Sequence, residues 1–194
     1  MMSASIYRDL NSMGMSEDDL WPTSSTEFVG HGGGSGEPDA CFMPPARGND
    51  SDGWPTLVIE AGVSQSLASL HAKMHWWFSA SNHAVKIVLL AKVSPASRSI
   101  LVEKYNKDVL QTRQGATNTR NMPGPAPELR QTIAITAQPG SNPVVYDVLG
   151  GPLVLEFSHL FLRPADGTQG ERDIVVDANR LAKLAERVWA RTRT

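Results

Sequence analysis

Thr56-Leu57-Val58-Ile59-Glu60-Ala61-Gly62 is the stretch that decides the fold. It is short, apolar and β-branched at Thr56, Val58 and Ile59, which marks a strand buried on both faces. Side chains alternate along a strand, so Glu60 is expected on the face of Val58 and Thr56, opposite Leu57, Ile59 and Ala61. Downstream, Leu67, Leu70, Met74, Trp77 and Phe78 recur at steps of 3, 4, 3 and 1, the period of an amphipathic helix. Val85-Lys86-Ile87-Val88-Leu89-Leu90-Ala91-Lys92-Val93 then reads as a second buried strand. Strand, helix and strand in that order predict parallel pairing through a right-handed crossover.

The flanks are more irregular. Residues 4–13 and 16–20 read as short helices, the second with Glu17, Asp18 and Asp19 following Ser16. Gly30-His31-Gly32-Gly33-Gly34-Ser35-Gly36 separates short strands at 27–30 and 39–43, the pattern of a hairpin. Residues 44–54 are a Pro, Gly and Asp loop. A strand is expected from Ser97 to Tyr105, then a surface excursion over 106–130 with turn residues such as Gly115, Pro123 and Pro127. Strands recur at 131–138, 143–149 and 153–161. Asp177 caps a last helix that turns Leu181, Leu184, Ala185 and Val188 inward. The expected class is α/β, a central mixed sheet flanked by helices. One domain spans 1–194, with its core at about 25–105 and a sheet extension and C-terminal helix at 131–194.

The bulk numbers narrow the function classes. In 194 residues, 18 basic and 20 acidic side chains leave a net charge of −2, which excludes a polycationic coat for nucleic acid. Cys41 is the single cysteine, so neither an intrachain disulfide nor a cysteine-held zinc can form. No stretch reads as a signal peptide or a membrane helix. The expectation is a soluble protein of the cell interior, cytoplasmic or nuclear.

Chemistry concentrates in Pro38-Asp39-Ala40-Cys41-Phe42 and in the strand ending at Glu60. A carboxylate ending an apolar strand is unfavourable unless paired, hydrated or bound to a cation. Carboxylates on two adjacent strand ends form an oxygen site suited to Mg²⁺, which keeps several waters and needs only one or two protein carboxylates. Such a cation activates water and stabilises charge on a phosphodiester.

The run from Pro55 to Leu67, the helix carrying Trp76-Trp77, and Val85-Lys86-Ile87-Val88-Leu89-Leu90 together resemble the PD-(D/E)xK nuclease superfamily. Within it, they look like the bacterial Uma-type endonucleases and related uncharacterised fungal proteins. The likeness covers roughly residues 25–95. It implies a restriction-endonuclease-like core, Asp39 and Glu60 as the carboxylates for Mg²⁺ or Mn²⁺, and DNA or RNA as the phosphodiester substrate. A homodimer is compatible with it. The usual lysine two residues after the glutamate is absent, because Gly62 stands there. Some members supply the amine from the following helix, where Lys73 lies 73 − 60 = 13 residues on and shares a face with Ser66 and Ser69. The ordinary alternatives are a solvated helix-face lysine for Lys73, a buried structural acid pairing with a base such as Lys73 for Glu60, and a turn aspartate after Pro38 for Asp39. The missing strand lysine also motivates a second expectation, a catalytically degenerate domain that binds nucleic acid or protein.

Rival signals are weaker. His31-Gly32-Gly33-Gly34 and Gly62-Val63-Ser64-Gln65-Ser66 imitate serine-hydrolase strings, but Ser66 replaces the elbow's last glycine and no acid-then-histidine pair follows. His71 and His75 are four apart yet lack a third ligand. Trp76 and Trp77 read as core and rim packing in preference to a base-stacking platform, and Glu27 and Glu37 as surface acids in preference to extra metal ligands. Arg180, Lys183, Arg187 and Arg191 form a basic stripe that reads as a solvated helix face.

Overall fold

The computed structural model describes residues 2–23, 26–48, 53–107 and 126–191. Helix α1 (Met2–Ser12) leads into the short strands β1 (Trp21–Thr23), β2 (Phe28–Val29), β3 (Ser35–Gly36) and β4 (Ala40–Met43). The strand–helix–strand unit follows as β5 (Leu57–Gly62), α2 (Leu67–Ala80) and β6 (Ile87–Ser94). Strands β7 (Ser99–Asn106), β8 (Glu128–Ala137), β9 (Tyr146–Leu149) and β10 (Leu153–Leu155) come next. The chain then forms α3 (Phe157–Phe161), β11 (Ile174–Val176) and α4 (Ala178–Arg191).

Seven strands form one sheet in the order β1-β4-β5-β6-β7-β8-β9. β5 and β6 pair parallel, as the intervening helix requires, and every other neighbouring pair is antiparallel. The result is an α/β fold with a large mixed central sheet flanked by helices, consistent with a restriction-endonuclease-like core.

The alternation in β5 and β6 sorts the two cores. Leu57, Ile59, Ile87 and Leu89 pack with Ile6 and Leu10 of α1 and with Leu181, Ala185 and Trp189 of α4. Val58, Val88 and Leu90 pack on the other face with Leu70, Met74, Trp77 and Phe78 of α2. Both faces are covered, so the central strands read as continuous apolar runs. Ser66 caps α2 by accepting from the Ser69 amide at 3.1 Å, and Asp177 does the same for the last helix through Arg180.

Several expectations are corrected. β2 pairs with β3 across the glycines, while β4 pairs with β1 and β5, so segments 27–30 and 39–43 are not partners. The glycine-rich run makes a tighter turn than expected, with the Gly30 amide donating to the Gly34 carbonyl. Residues 17–19 are a turn rather than a helix, closed by the Ser16 amide on Asp19. The segment 153–161 splits into β10 and α3, because the chain leaves the sheet at Glu156 and the helix buries Phe157, Leu160 and Phe161. Thr56 lies just before β5 and sends its hydroxyl to the Leu160 carbonyl, so it does not share Glu60's environment. The excursion is shorter at both ends than 106–130, since β7 ends at Asn106 and β8 begins at Glu128; its residues 108–125 lie outside the described ones.

An ion pair between a buried lysine and a partly exposed glutamate ties β7 to the C-terminal extension. The Lys104 side chain, 4% exposed, donates to Glu156 Oε1 at 2.5 Å and to the Val154 carbonyl at 2.8 Å. Burial alone raises the Glu156 pKa, but hydrogen bonds from His159 and then Lys104 outweigh it and bring the group down to about 2 from the usual 4.5. A depressed folded-state pKa stabilises the fold above pH 4.5, and that contribution fades as pH falls towards 2. Glu156→Gln should therefore lower stability at pH 7 by about 1–2 kcal/mol, the linkage value being reduced by partial solvent screening. Urea unfolding should show the gap between wild type and variant narrowing at pH 3. A gap that stays constant down to that pH would contradict this account.

Candidate functional site

Glu60 is built into the sheet by register and into the α2 layer by alternation. It lies on the face of Val58 and is 1% exposed. A carboxylate in that position needs donors, and one helix supplies both. Lys73 Nζ donates to Oε2 at 2.6 Å, and Trp77 Nε1 donates to Oε1 at 2.8 Å. Lys73 and Trp77 are four apart on α2, so the same helical stripe reaches both oxygens. The Lys73 side chain is 39% exposed, leaving the amine open to solvent on one side.

Asp39 reaches the same strand end from β4. Ala40 stands opposite Ile59 in the antiparallel register, and one further step sets Asp39 opposite Glu60. Its Oδ2 accepts from the Ala61 amide at 2.7 Å, standing in for the ladder partner that β4 no longer offers there. Asp39 is exposed, Glu60 buried, and Lys73 lies between buried and exposed. Lys73 thus pairs directly with Glu60, and Asp39 accepts from the backbone of the next residue at the same end of β5.

Among the described residues, no three His, Cys, Asp or Glu side chains cluster as a metal cage. That donor set suits neither a closed zinc site nor a calcium loop. Asp39 Oδ1 has no protein partner among the described residues and could serve a cation held mainly by water, whereas both Glu60 oxygens already accept a protein donor.

The structure also accounts for Gly62. A Cβ there would lie 3.1 Å from Gln65 Cβ and 3.3 Å from both Leu70 methyls, a tight fit beneath the start of α2. Its cross-strand neighbour is Lys92, which alternation puts on the Glu60 face and whose Nζ donates to the Val63 carbonyl at 2.5 Å. Sequence reading passed over Lys92 because it sits in a strand that looks like core. The parallel register of β5 and β6 was the signal that could have found it. Trp77 was read as packing alone, and its indole donor was missed. Glu37 lines a hollow of about 300 Å³ with Gly36, Glu60, Lys73, Trp76 and Trp77. Glu27 instead accepts from Ser35 across the β2–β3 hairpin.

Other motifs resolve into structural roles. His71 Nε2 lies 2.7 Å from Glu103 Oε2, and the Tyr105 hydroxyl donates to the same oxygen at 3.0 Å. Burial, then the bond to Glu103 and its charge, push Tyr105 up to about 12. His75 is exposed one turn further on. In the basic stripe, Arg180 is engaged by Asp9 and by the Ser5 and Val175 carbonyls. Lys183 and Arg187 are exposed, and the Arg191 side chain lies outside the described residues. α4 covers the sheet face opposite Glu60.

Comparison with protein-family models and with curated proteins gives no match. Among solved structures, the chain is similar to a crystal structure from Anabaena variabilis ATCC 29413 described as "a putative nuclease belonging to DUF820". Identity is 14%, the match covers 58% of this chain and 70% of that one, and the TM-score is 0.37. At that level of likeness, any functional reading has to rest on the side chains themselves.

Trp77→Phe removes one donor from a buried carboxylate and leaves part of the indole volume empty. It should destabilise the fold by about 2–4 kcal/mol. Trp76→Phe, at the half-buried neighbouring position, should cost less than half of that in the same chemical denaturation series. Equal losses would show that the Trp77–Glu60 hydrogen bond carries no special weight.

Proposed function

We propose that this chain is a metal-dependent nuclease of PD-(D/E)xK type, hydrolysing phosphodiester bonds in DNA or RNA. The observation that carries the reading is the Lys73–Glu60 contact of 2.6 Å at the strand end where Asp39 also arrives. Asp39 and Glu60 are the carboxylates that hold Mg²⁺ or Mn²⁺. What such a cation supplies when bound is activation of water and stabilisation of charge on phosphoryl oxygens. Glu60 fixes the position of the Lys73 ammonium, which offsets the negative charge that develops as the phosphodiester is cleaved. Delivery of the amine from α2 substitutes for the strand position that Gly62 leaves without a side chain.

A second reading has its own observation. Glu60 is 1% exposed and both of its oxygens already accept hydrogen bonds from the protein, as in a fold whose acid has become purely structural. Such a degenerate domain would bind nucleic acid or protein without hydrolysis.

Purified protein with Mg²⁺ or Mn²⁺ is expected to cleave labelled DNA or RNA. Glu60→Gln and Lys73→Met should each reduce kcat by about 10²-fold or more while circular dichroism stays native. Wild-type rates in folded Glu60→Gln would sink the nuclease reading. Nucleic-acid binding with no metal-dependent cleavage in any variant would favour the degenerate domain.

A further inference from the structure

Trp76 differs from the other aromatic residues around it. Trp77 and Trp54 are 1% and 4% exposed, and the Trp77 indole N–H is committed to Glu60. Trp76 is only partly buried, three residues along α2 from Lys73, and its indole N–H makes no hydrogen bond among the described residues. Its ring is nonetheless held firmly in place. Trp77 meets it edge-on, with centroids 4.8 Å apart and planes at 78°, and Trp54 lies 6.2 Å away. The β2–β3 hairpin closes against it at Gly36, where a Cβ would lie 2.7 Å from Trp76 Cζ3 and 2.9 Å from Cη2. Only a residue without a side chain lets the hairpin come so near the indole.

The hollow beside this ring is lined by the charged side chains Glu37, Glu60 and Lys73 and by the indoles of Trp76 and Trp77. Its volume of about 300 Å³ lies in the range that takes small organic ligands of mononucleotide size. A ligand that fills it well has a charged part and a flat aromatic part, as a nucleotide does. Glu60 is almost wholly buried beside this hollow, while the Lys73 side chain is 39% exposed. A nucleotide stacked and paired within a duplex has the faces of its base covered by its neighbours, whereas an unpaired one can offer a face to Trp76.

We infer that Trp76 is the wall against which a nucleobase stacks beside the Glu60–Lys73 pair, so that the substrate is an unpaired nucleotide of a single strand or an unstacked end. The inference rests on the nuclease reading of the same hollow. Aromatic stacking is tolerant of base identity, so little sequence preference accompanies it.

The test compares wild type, Trp76→Leu and Trp76→Phe by fluorescence anisotropy with a labelled twelve-nucleotide single strand and its duplex, in Ca²⁺ to limit turnover. Mg²⁺-dependent cleavage is measured in parallel. Wild type should bind the single strand more tightly than the duplex. Trp76→Leu should weaken single-strand binding about tenfold and leave duplex binding unchanged. Trp76→Phe, which keeps an aromatic face, should stay within about threefold of wild type. In the cleavage assay, Trp76→Leu should raise KM with kcat little changed. Glu60-dependent cleavage with identical single-strand binding in all three proteins would overturn the stacking wall and leave the nuclease reading standing. So would an equal loss in the Leu and Phe variants. Trp76-dependent single-strand binding without any cleavage would uphold the wall and overturn the chemistry alone.

Discussion

A carboxylate removed from water has to be met by donors, and at Glu60 that requirement organises a whole side of the molecule. α2 must lie across β5 at the angle and register that bring Lys73 to one oxygen and Trp77 to the other. Breaking either contact leaves charge or hydrogen-bonding capacity stranded in the protein interior, which is far costlier than losing an exposed ion pair. The Ser66 cap starts α2 four residues after Gly62, and the close packing of Gly62 under Leu70 holds the turn between them. The same short connection that makes the fold thus delivers the amine.

The two faces of the sheet divide the labour. α1, α3, α4 and the β10–β11 pair build the larger apolar core, with the Lys104–Glu156 pair as its polar link. On the other face α2 is the one long helix among the described residues, and the β2–β3 hairpin covers its flank through the His31 amide on the Ala80 carbonyl. Asp39, Glu60, Leu90 and Glu103 lie in one row across β4 to β7, with Asp39 placed by extending the register. α2 crosses that row, meeting Glu60 with Lys73 and Glu103 with His71. Polar groups on this face therefore sit where the helix can answer them.

Much of this was legible in the chain. The run through Glu60 and the helix behind it follow from periodicity alone, because strand and helix periods differ and each buries a continuous face. Asp39, Glu60 and Lys73 were singled out through a resemblance; the structure pairs Lys73 with Glu60 and sets Asp39 on the Ala61 amide beside it. What escaped has physical causes. The pairing of β4 with β1 and β5 is non-local, and nothing in Ala40–Met43 distinguishes it from pairing with the nearer segment 27–30. The break at Glu156 is hard to see in an apolar count, since Leu153, Val154 and Leu155 before it and Phe157, Leu160 and Phe161 after it are all large apolar residues. Lys92 was hidden inside a core strand, and the Trp77 donor was hidden by the bulk of its ring.

The central claim is that Asp39 and Glu60 together hold a divalent cation. Calorimetric titration with Mn²⁺ measures this directly, for wild type beside Asp39→Asn, with folding of both checked by thermal melting. One Mn²⁺ per chain should bind wild type, and affinity should fall by at least about tenfold in Asp39→Asn. Absence of binding to wild type, or equal binding by both proteins, would contradict it.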